Sequence, residues 1–343
     1  MNGGRWTAEK AKAWYAQLPW LVGCNFIPST AINQLEMWQA GTFDPGTIER
    51  ELGWAAAIGF NTARVFLHDL LWQADAEGFK VCIDRFLDIA AGKGIHPVLV
   101  LFDDCWNANP QLGKQPAPIP GVHNSGWVQS PSAAVVTNPA GWPRLERYVK
   151  GVLEAFAGDE RILMWDLYNE PGNKGLEEKS LGLLRATFEW AKAIRPQQPL
   201  TVGVWADFPA LNVLQTAESD IISFHHYGEA AILREWIGRF KAYGRPVICT
   251  EYMARRRGSR FVTHLPVFKA EGVGCYNWGL VRGKTQTIYP WESPEGAGEP
   301  EEWFHDIFYE DGTPYDEAEV ALIKRFTGKD EGFQPLSHSG SDG

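Results

Sequence analysis

The chain has 343 residues, 45% of them apolar, and a formal net charge of −10. That length allows one large domain or two ordinary ones. The acidic balance, with no Lys/Arg cluster beyond Arg255-Arg256-Arg257, argues against a nucleic-acid partner, because phosphates need a basic footprint. No apolar run approaches a membrane span, and Met1-Asn2-Gly3-Gly4 does not open a signal peptide. A cytoplasmic location is therefore expected, unless the N-terminus was trimmed from a secreted or periplasmic form. Five cysteines, an odd number without metal-type spacing, indicate neither a disulfide framework nor a metal site. The 16 tryptophans exceed what a core needs, and as a set they suggest an aromatic-lined cleft.

Helix and strand patterns alternate along the chain. A short amphipathic helix over 7–17 precedes a strand at 20–26. Asp44-Pro45 combines an N-cap with proline at the first helical position and opens a helix that stops at Gly59. A strand at 60–66, a helix at 79–91 and a strand at 95–102 follow. The same rhythm then gives strands at 162–168, 200–204, 221–225, 246–250 and 273–278. Helices at 143–156, 177–194, 209–217, 230–243 and 261–270 alternate with them, and one at 316–326 comes last.

Eight strand-then-helix units with short apolar strands predict an α/β fold, a single (β/α)8 TIM barrel over 1–326. The competing doubly wound sheet lacks a glycine-rich phosphate loop after its first strand. Two connections are far longer than the rest, 103–142 and 279–315, and both follow strands, which places them on the catalytic face. The polar, Gly/Ser-rich tail at 327–343 is expected to be disordered.

In such a barrel the chemistry stands at the carboxyl ends of the strands. Read there, strand two carries Arg64 with His68 just beyond, and strand three ends at Asp103-Asp104. Strand four ends at Asn169-Glu170, strand six at His225-His226-Tyr227, strand seven at Glu251 and strand eight at Trp278. Glu170 and Glu251 then face each other across one bowl. Two opposed carboxylates are what glycoside hydrolysis requires, one holding a proton for the leaving oxygen and one ionised. Arg64 can orient Glu251 and keep it charged, and Tyr227 can donate to the same carboxylate. Asn169 is placed for a sugar hydroxyl and Trp278 for a subsite floor. His225, His68 and Asp103 are read as further substrate contacts, with structural roles as the alternative.

These five strand ends together (Arg64, Asn169-Glu170-Pro171, His225-x-Tyr227, Thr250-Glu251-Tyr252, Trp278) resemble the clan A glycoside hydrolases, most nearly glycoside hydrolase family 5, the cellulase and mannanase family. The resemblance implies Glu170 as acid/base, Glu251 as nucleophile, double displacement with retention, and neither metal nor cofactor. It departs at strand three, where the family's histidine is replaced by Asp103-Asp104-Cys105-Trp106, so the sugar is not carried over. The expected partner is an oligosaccharide or polysaccharide, held in a loop-walled pocket with exo action. An endo-acting cellulase, mannanase or xylanase type, a transglycosylase, and a catalytically silent glycan-binding barrel are the alternatives.

Overall fold

Eight apolar runs, each entered from a helix stop, lie side by side in the structure, a computed structural model that describes residues 4–329. They are β1 (Val22–Asn25), β2 (Thr62–Phe66), β3 (His96–Asp103), β4 (Met164–Asn169), β5 (Leu200–Thr201), β6 (Ile222–His225), β7 (Val247–Tyr252) and β8 (Gly274–Trp278). The hydrogen-bonded order is β5-β4-β3-β2-β1-β8-β7-β6, and each pair is parallel. The two ends meet at a parallel bridge between Val204 and Phe224, where Val204 N–H donates to Ser223 and His225 N–H donates to Val204. The sheet thus closes into the expected (β/α)8 barrel.

Period-two alternation sorts the strand residues. On β2, Ala63 and Val65 pack outward in the main core beneath the helices, while Thr62 and Arg64 point inward. The barrel interior is layered. Val98, Met164, Ile248 and Tyr276 fill the lower layer, which Trp6 and Ala11 of the N-terminal segment seal from below. Above it Arg64, Asp166 and Asn25 form a polar layer. Phe66, Val100, Trp127 and Cys105 make the layer nearest the mouth.

Local chemistry sets the helix ends. The helix Pro45–Ala57 starts on Asp44, whose carboxylate accepts from Thr47 N–H at 3.0 Å. It stops at Gly59, where φ is 87° and a Cβ would stand 2.2 Å from Thr327 Oγ1, so a side chain is excluded twice over.

Several elements differ from the sequence reading. β5 spans only Leu200–Thr201, because side chains take the next backbone groups: Val202 N–H donates to Ser219 Oγ and Gln215 donates to the Gly203 carbonyl. The helix after β2 runs Asp69–Gly92 across a break at Asp75 (φ −156°), whose carboxylate caps the second segment at Gly78 N–H. A short helix, Gln34–Trp38, lies where no element is predicted. The expected disordered tail begins in ordered helix at Thr327, and from 330 on it lies outside the described residues. Among the described residues no helix is long and apolar enough to cross a membrane, and all five cysteines are free and buried.

Glu51, wholly buried on the helix Pro45–Ala57, accepts from Ser29 N–H at 3.0 Å and from the Ser29 hydroxyl. Burial raises it to about 7 from an ordinary value of 4.5. A carboxyl raised on folding contributes stability that is present below its unfolded value and is lost as pH rises through its folded value. Glu51→Gln has no such loss. Its Tm relative to wild type is therefore expected to climb between about pH 5 and about pH 8 in calorimetric scans, and a pH-independent difference would contradict a raised Glu51.

Candidate active site

At the end of β4 the chain must leave the barrel sharply, and Glu170 does so in the left-handed region, with φ 44°. The buried carboxylate of Asp104 holds this turn by accepting from Gly172 N–H at 2.8 Å, Ser180 Oγ at 2.6 Å and Tyr168 Oη at 2.6 Å. Burial lifts Asp104 to about 7, and these three donors oppose that rise. Asp104 is therefore the clamp that aims Glu170.

Arg64 uses all five of its donors. Nε and Nη2 donate to Asp166 Oδ2 at 2.9 and 2.8 Å, Nη1 to Asn25 Oδ1 and Glu251 Oε1 at 2.8 Å each, and Nη2 also to Asn169 Oδ1 at 2.6 Å. Burial alone would pull its pKa down, but Asp166 and Glu251 outweigh burial and raise it. This fork ties β1, β2, β4 and β7 together and fixes the angle between Asn169 and Glu251. Neither Lys, with one point charge, nor a neutral residue can do that.

The two glutamates and His225 present atoms that all lie within 4.8 Å of one another. Burial lifts both carboxyls above the usual range, and their partners differ. Glu251 receives a guanidinium at 2.8 Å on Oε1 and the Tyr227 hydroxyl at 2.7 Å on Oε2. Glu170 receives only neutral donors on Oε2, Asn173 Nδ2 at 2.5 Å and the Cys105 thiol at 3.1 Å. Burial keeps that thiol protonated, well above its ordinary value. His225 Nδ1 stands 2.8 Å from Glu170 Oε1 and 3.6 Å from Glu251 Oε2, and burial lowers the ring to about 4, leaving it uncharged. The guanidinium of Arg64 against Glu251 favours its ionised form, while a charge on Glu170 opposes it, so the two carboxyls titrate as a coupled pair. The same three residues form the compact His/carboxylate cluster that a cation would need. With Arg64 and Tyr227 already donating to both Glu251 oxygens, the cluster suits a proton better than a metal.

These residues open into a cavity of about 620 Å³ that includes Asn169, Glu170, His225, Tyr227, Glu251 and Trp278. Trp106 and His123 from the first long loop and Trp291 and His305 from the second also line it. The loops are pinned to each other. Asn124 N–H donates to Thr285, Gln286 Nε2 to the Ile119 carbonyl, and Gly296 N–H to Pro120.

Three residues read as substrate contacts stand elsewhere. His68 donates from Nε2 to the Gln129 carbonyl at 3.0 Å and accepts from Leu70 N–H at 3.2 Å, so it caps the helix Asp69–Gly92. Asp103 is buried behind the wall and accepts from Asn169 Nδ2 at 2.9 Å and Trp127 Nε1 at 2.7 Å, which makes it a brace for Asn169. Arg64 reaches the carboxylate, as expected, but does not line the cavity. Asp166 and Asn25 were missed, although a charged residue inside the apolar run of β4 signals a buried partner. Nothing in the sequence marks Cys105 or Asn173 as neighbours of Glu170.

No protein-family model and no curated protein matches the sequence. Solved structures do match in fold. A GH5_18 protein from Streptomyces cattleya, solved with GlcNAc, superposes with a TM-score of 0.61 at 14% identity, over 92% of this chain and 81% of that one. An exo-β-1,4-mannosidase from Opitutaceae bacterium strain TAV5 gives 0.61 at 16% identity, over 90% of this chain and 59% of that one, so this chain spans well under two thirds of that protein. A GH5-4 broad-specificity endoglucanase from Clostridium longisporum gives 0.56 at 12% identity, over 95% of this chain and 99% of that one. What these likenesses show of the chain is its fold, the (β/α)8 barrel.

Proposed function

We propose that the chain is a retaining glycoside hydrolase that cleaves β-linked glycans by double displacement. The observation that carries this reading is the pair of carboxylates whose oxygens, with His225 Nδ1, fall within 4.8 Å of one another. Retaining enzymes hold their carboxyl groups about 5–5.5 Å apart, while inverting ones leave roughly 6.5–9.5 Å for a water. Glu170 gives its proton to the glycosidic oxygen as Glu251 attacks the anomeric carbon. The leaving group departs, and the sugar stays bonded to Glu251. Glu170, now ionised, takes a proton from water as that water displaces Glu251. Tyr227 and Arg64 hold the Glu251 carboxylate against rotation. Asn169 is held at the cavity beside Glu170 by Arg64, Asp103 and Cys105, and Trp278 offers a face for the sugar ring.

Exo action is part of the proposal. The two long loops, bonded to each other, wall a cavity whose volume lies in the range of small-ligand pockets, about 300–1,000 Å³. A panel of aryl β-glycosides, beginning with the mannoside in view of the exo-mannosidase neighbour, tests this beside dyed cellulose, mannan and xylan. Hydrolysis of one small glycoside is expected, with the β-anomer of the free sugar appearing first by NMR. First appearance of the α-anomer would establish inversion. Cleavage of polymers alone would establish endo action, and silence throughout would favour a glycan-binding barrel.

A further inference from the structure

His123 and His305, one from each long loop, stand on one wall of the cavity with ring centroids 5.4 Å apart. His123 Nδ1 lies 2.7 Å from the Tyr289 carbonyl oxygen, and His305 Nδ1 lies 2.6 Å from that of Met253. A carbonyl can only accept, so each Nδ1 carries a hydrogen. Burial also keeps both rings neutral, lowering His123 to about 4 and His305 well below its ordinary value. A neutral imidazole has one N–H, so both Nε2 atoms are bare acceptors. Neither has a donor partner among the described residues.

Aromatic rings flank both histidines. Trp106 stacks on His123 at 5.4 Å, and Phe304 meets His305 at 4.5 Å. Tyr227 lies 5.8 Å from His305 but gives its hydroxyl to Glu251. The position of His305 is fixed from the nucleophile's own strand. Two residues beyond Glu251, Met253 adopts a left-handed φ of 75°, and its carbonyl meets the His305 ring. Such a conformation persists only where the surroundings over-determine it. Here they include buried Arg255, which donates to the carbonyls of Trp303, His305 and Asp306 and pairs with Glu319 at 2.7 Å.

We infer that His123 and His305 accept two hydroxyl hydrogens of the bound glycan, and so select a neutral, polyhydroxylated sugar over a uronate or a sulfated one. This rests on reading the cavity as a glycan site. An anionic group on this wall would set oxygen lone pairs against nitrogen lone pairs and leave both imidazoles unpaired, which is how a buried polar site rejects a ligand. Lys174 and Arg257 also line the cavity, but both are exposed and lie over tryptophan faces, 4.3 Å from Trp106 and 5.1 Å from Trp291.

Nitrogen-15 NMR of the imidazoles in the full chain reads the tautomers directly and needs no turnover. At neutral pH both Nε2 atoms should be unprotonated, and both resonances should move on adding methyl β-mannoside or methyl β-glucoside, but not on adding methyl β-glucuronide or a 6-sulfated glycoside. His123→Phe keeps a ring beside Trp106 and removes one acceptor. It should weaken binding of the neutral glycoside about tenfold and erase its advantage over the acidic ones. An Nε2–H tautomer in either ring, acidic glycosides bound as tightly as neutral ones, or no binding of any neutral glycoside would overturn the inference. Neutral sugars bound as expected, beside a silent hydrolysis panel, would instead sink the glycosidase reading and leave this one standing.

Discussion

Glycine in place of Glu251 is expected to lower hydrolysis of an unactivated β-glycoside by at least about 10⁴-fold, and azide should restore part of the rate. The expected product is the glycosyl azide of inverted configuration. The substitution empties the space between Arg64 Nη1 and the Tyr227 hydroxyl, each of which reaches one oxygen of the native carboxylate, at 2.8 and 2.7 Å. A small anion held by those two donors attacks from the face Glu251 used, and a single displacement inverts the centre. Glu170→Ala should behave differently. Its loss should reach about 10²–10⁴-fold for poor leaving groups and be small for leaving groups that depart without a proton. Azide then attacks the glycosyl-enzyme, and configuration is retained. If the two variants exchanged these stereochemical outcomes, the roles of the glutamates would be exchanged as well.

Arg64→Met should cost both stability and activity, for separable reasons. It leaves Asp166, Glu251, Asn25 and Asn169 without the donors that now reach them at 2.6–2.9 Å. Removing one side of a buried ion pair costs about 3–5 kcal/mol, a Tm loss of roughly 5–10 °C for a large domain. Adding Asp166→Leu removes the second stranded charge and should recover part of the Tm. The rate should not recover, because Glu251 still lacks its cation. With the guanidinium gone and only the Tyr227 hydroxyl left to oppose burial, Glu251 takes up a proton more readily, so the acid limb of the pH–rate profile should move to higher pH. A double variant that recovered wild-type kcat along with Tm would show Arg64 to be structural only. Arg64→Lys keeps the charge but not the fork, and should fall between the two.

The contrast between Glu170 and Asp103 shows where sequence reading stops. Both are carboxylates at the end of a parallel strand, and nothing local distinguishes them. Glu170 enters the cavity because the turn clamped by Asp104 sets its φ at 44°. Asp103 turns back because Asn169 and Trp127, one from the neighbouring strand and one from the long loop that follows β3 itself, donate to it. His68 is similar, since a loop carbonyl at Gln129 takes the proton that a sugar oxygen would otherwise have met.

By itself the sequence determined the barrel and the two glutamates. Apolar runs at the right spacing bury on both faces of a parallel sheet, and a parallel barrel delivers every strand end to the same mouth. Arg64, His225, Tyr227 and Trp278 followed from that geometry, as did the placing of both long loops over the mouth. Only the tertiary structure decided which oxygen each donor serves, that His68 and Asp103 bond to other protein groups behind the cavity wall, and that Cys105 and Asn173 surround Glu170. It also decided that His123 and His305 meet with both Nδ1 hydrogens bound. The physical reason is range. Periodicity records whether a side chain faces in or out, but a hydrogen bond between residues as far apart as Arg64 and Glu251 depends on loop paths and rotamers that no local pattern encodes.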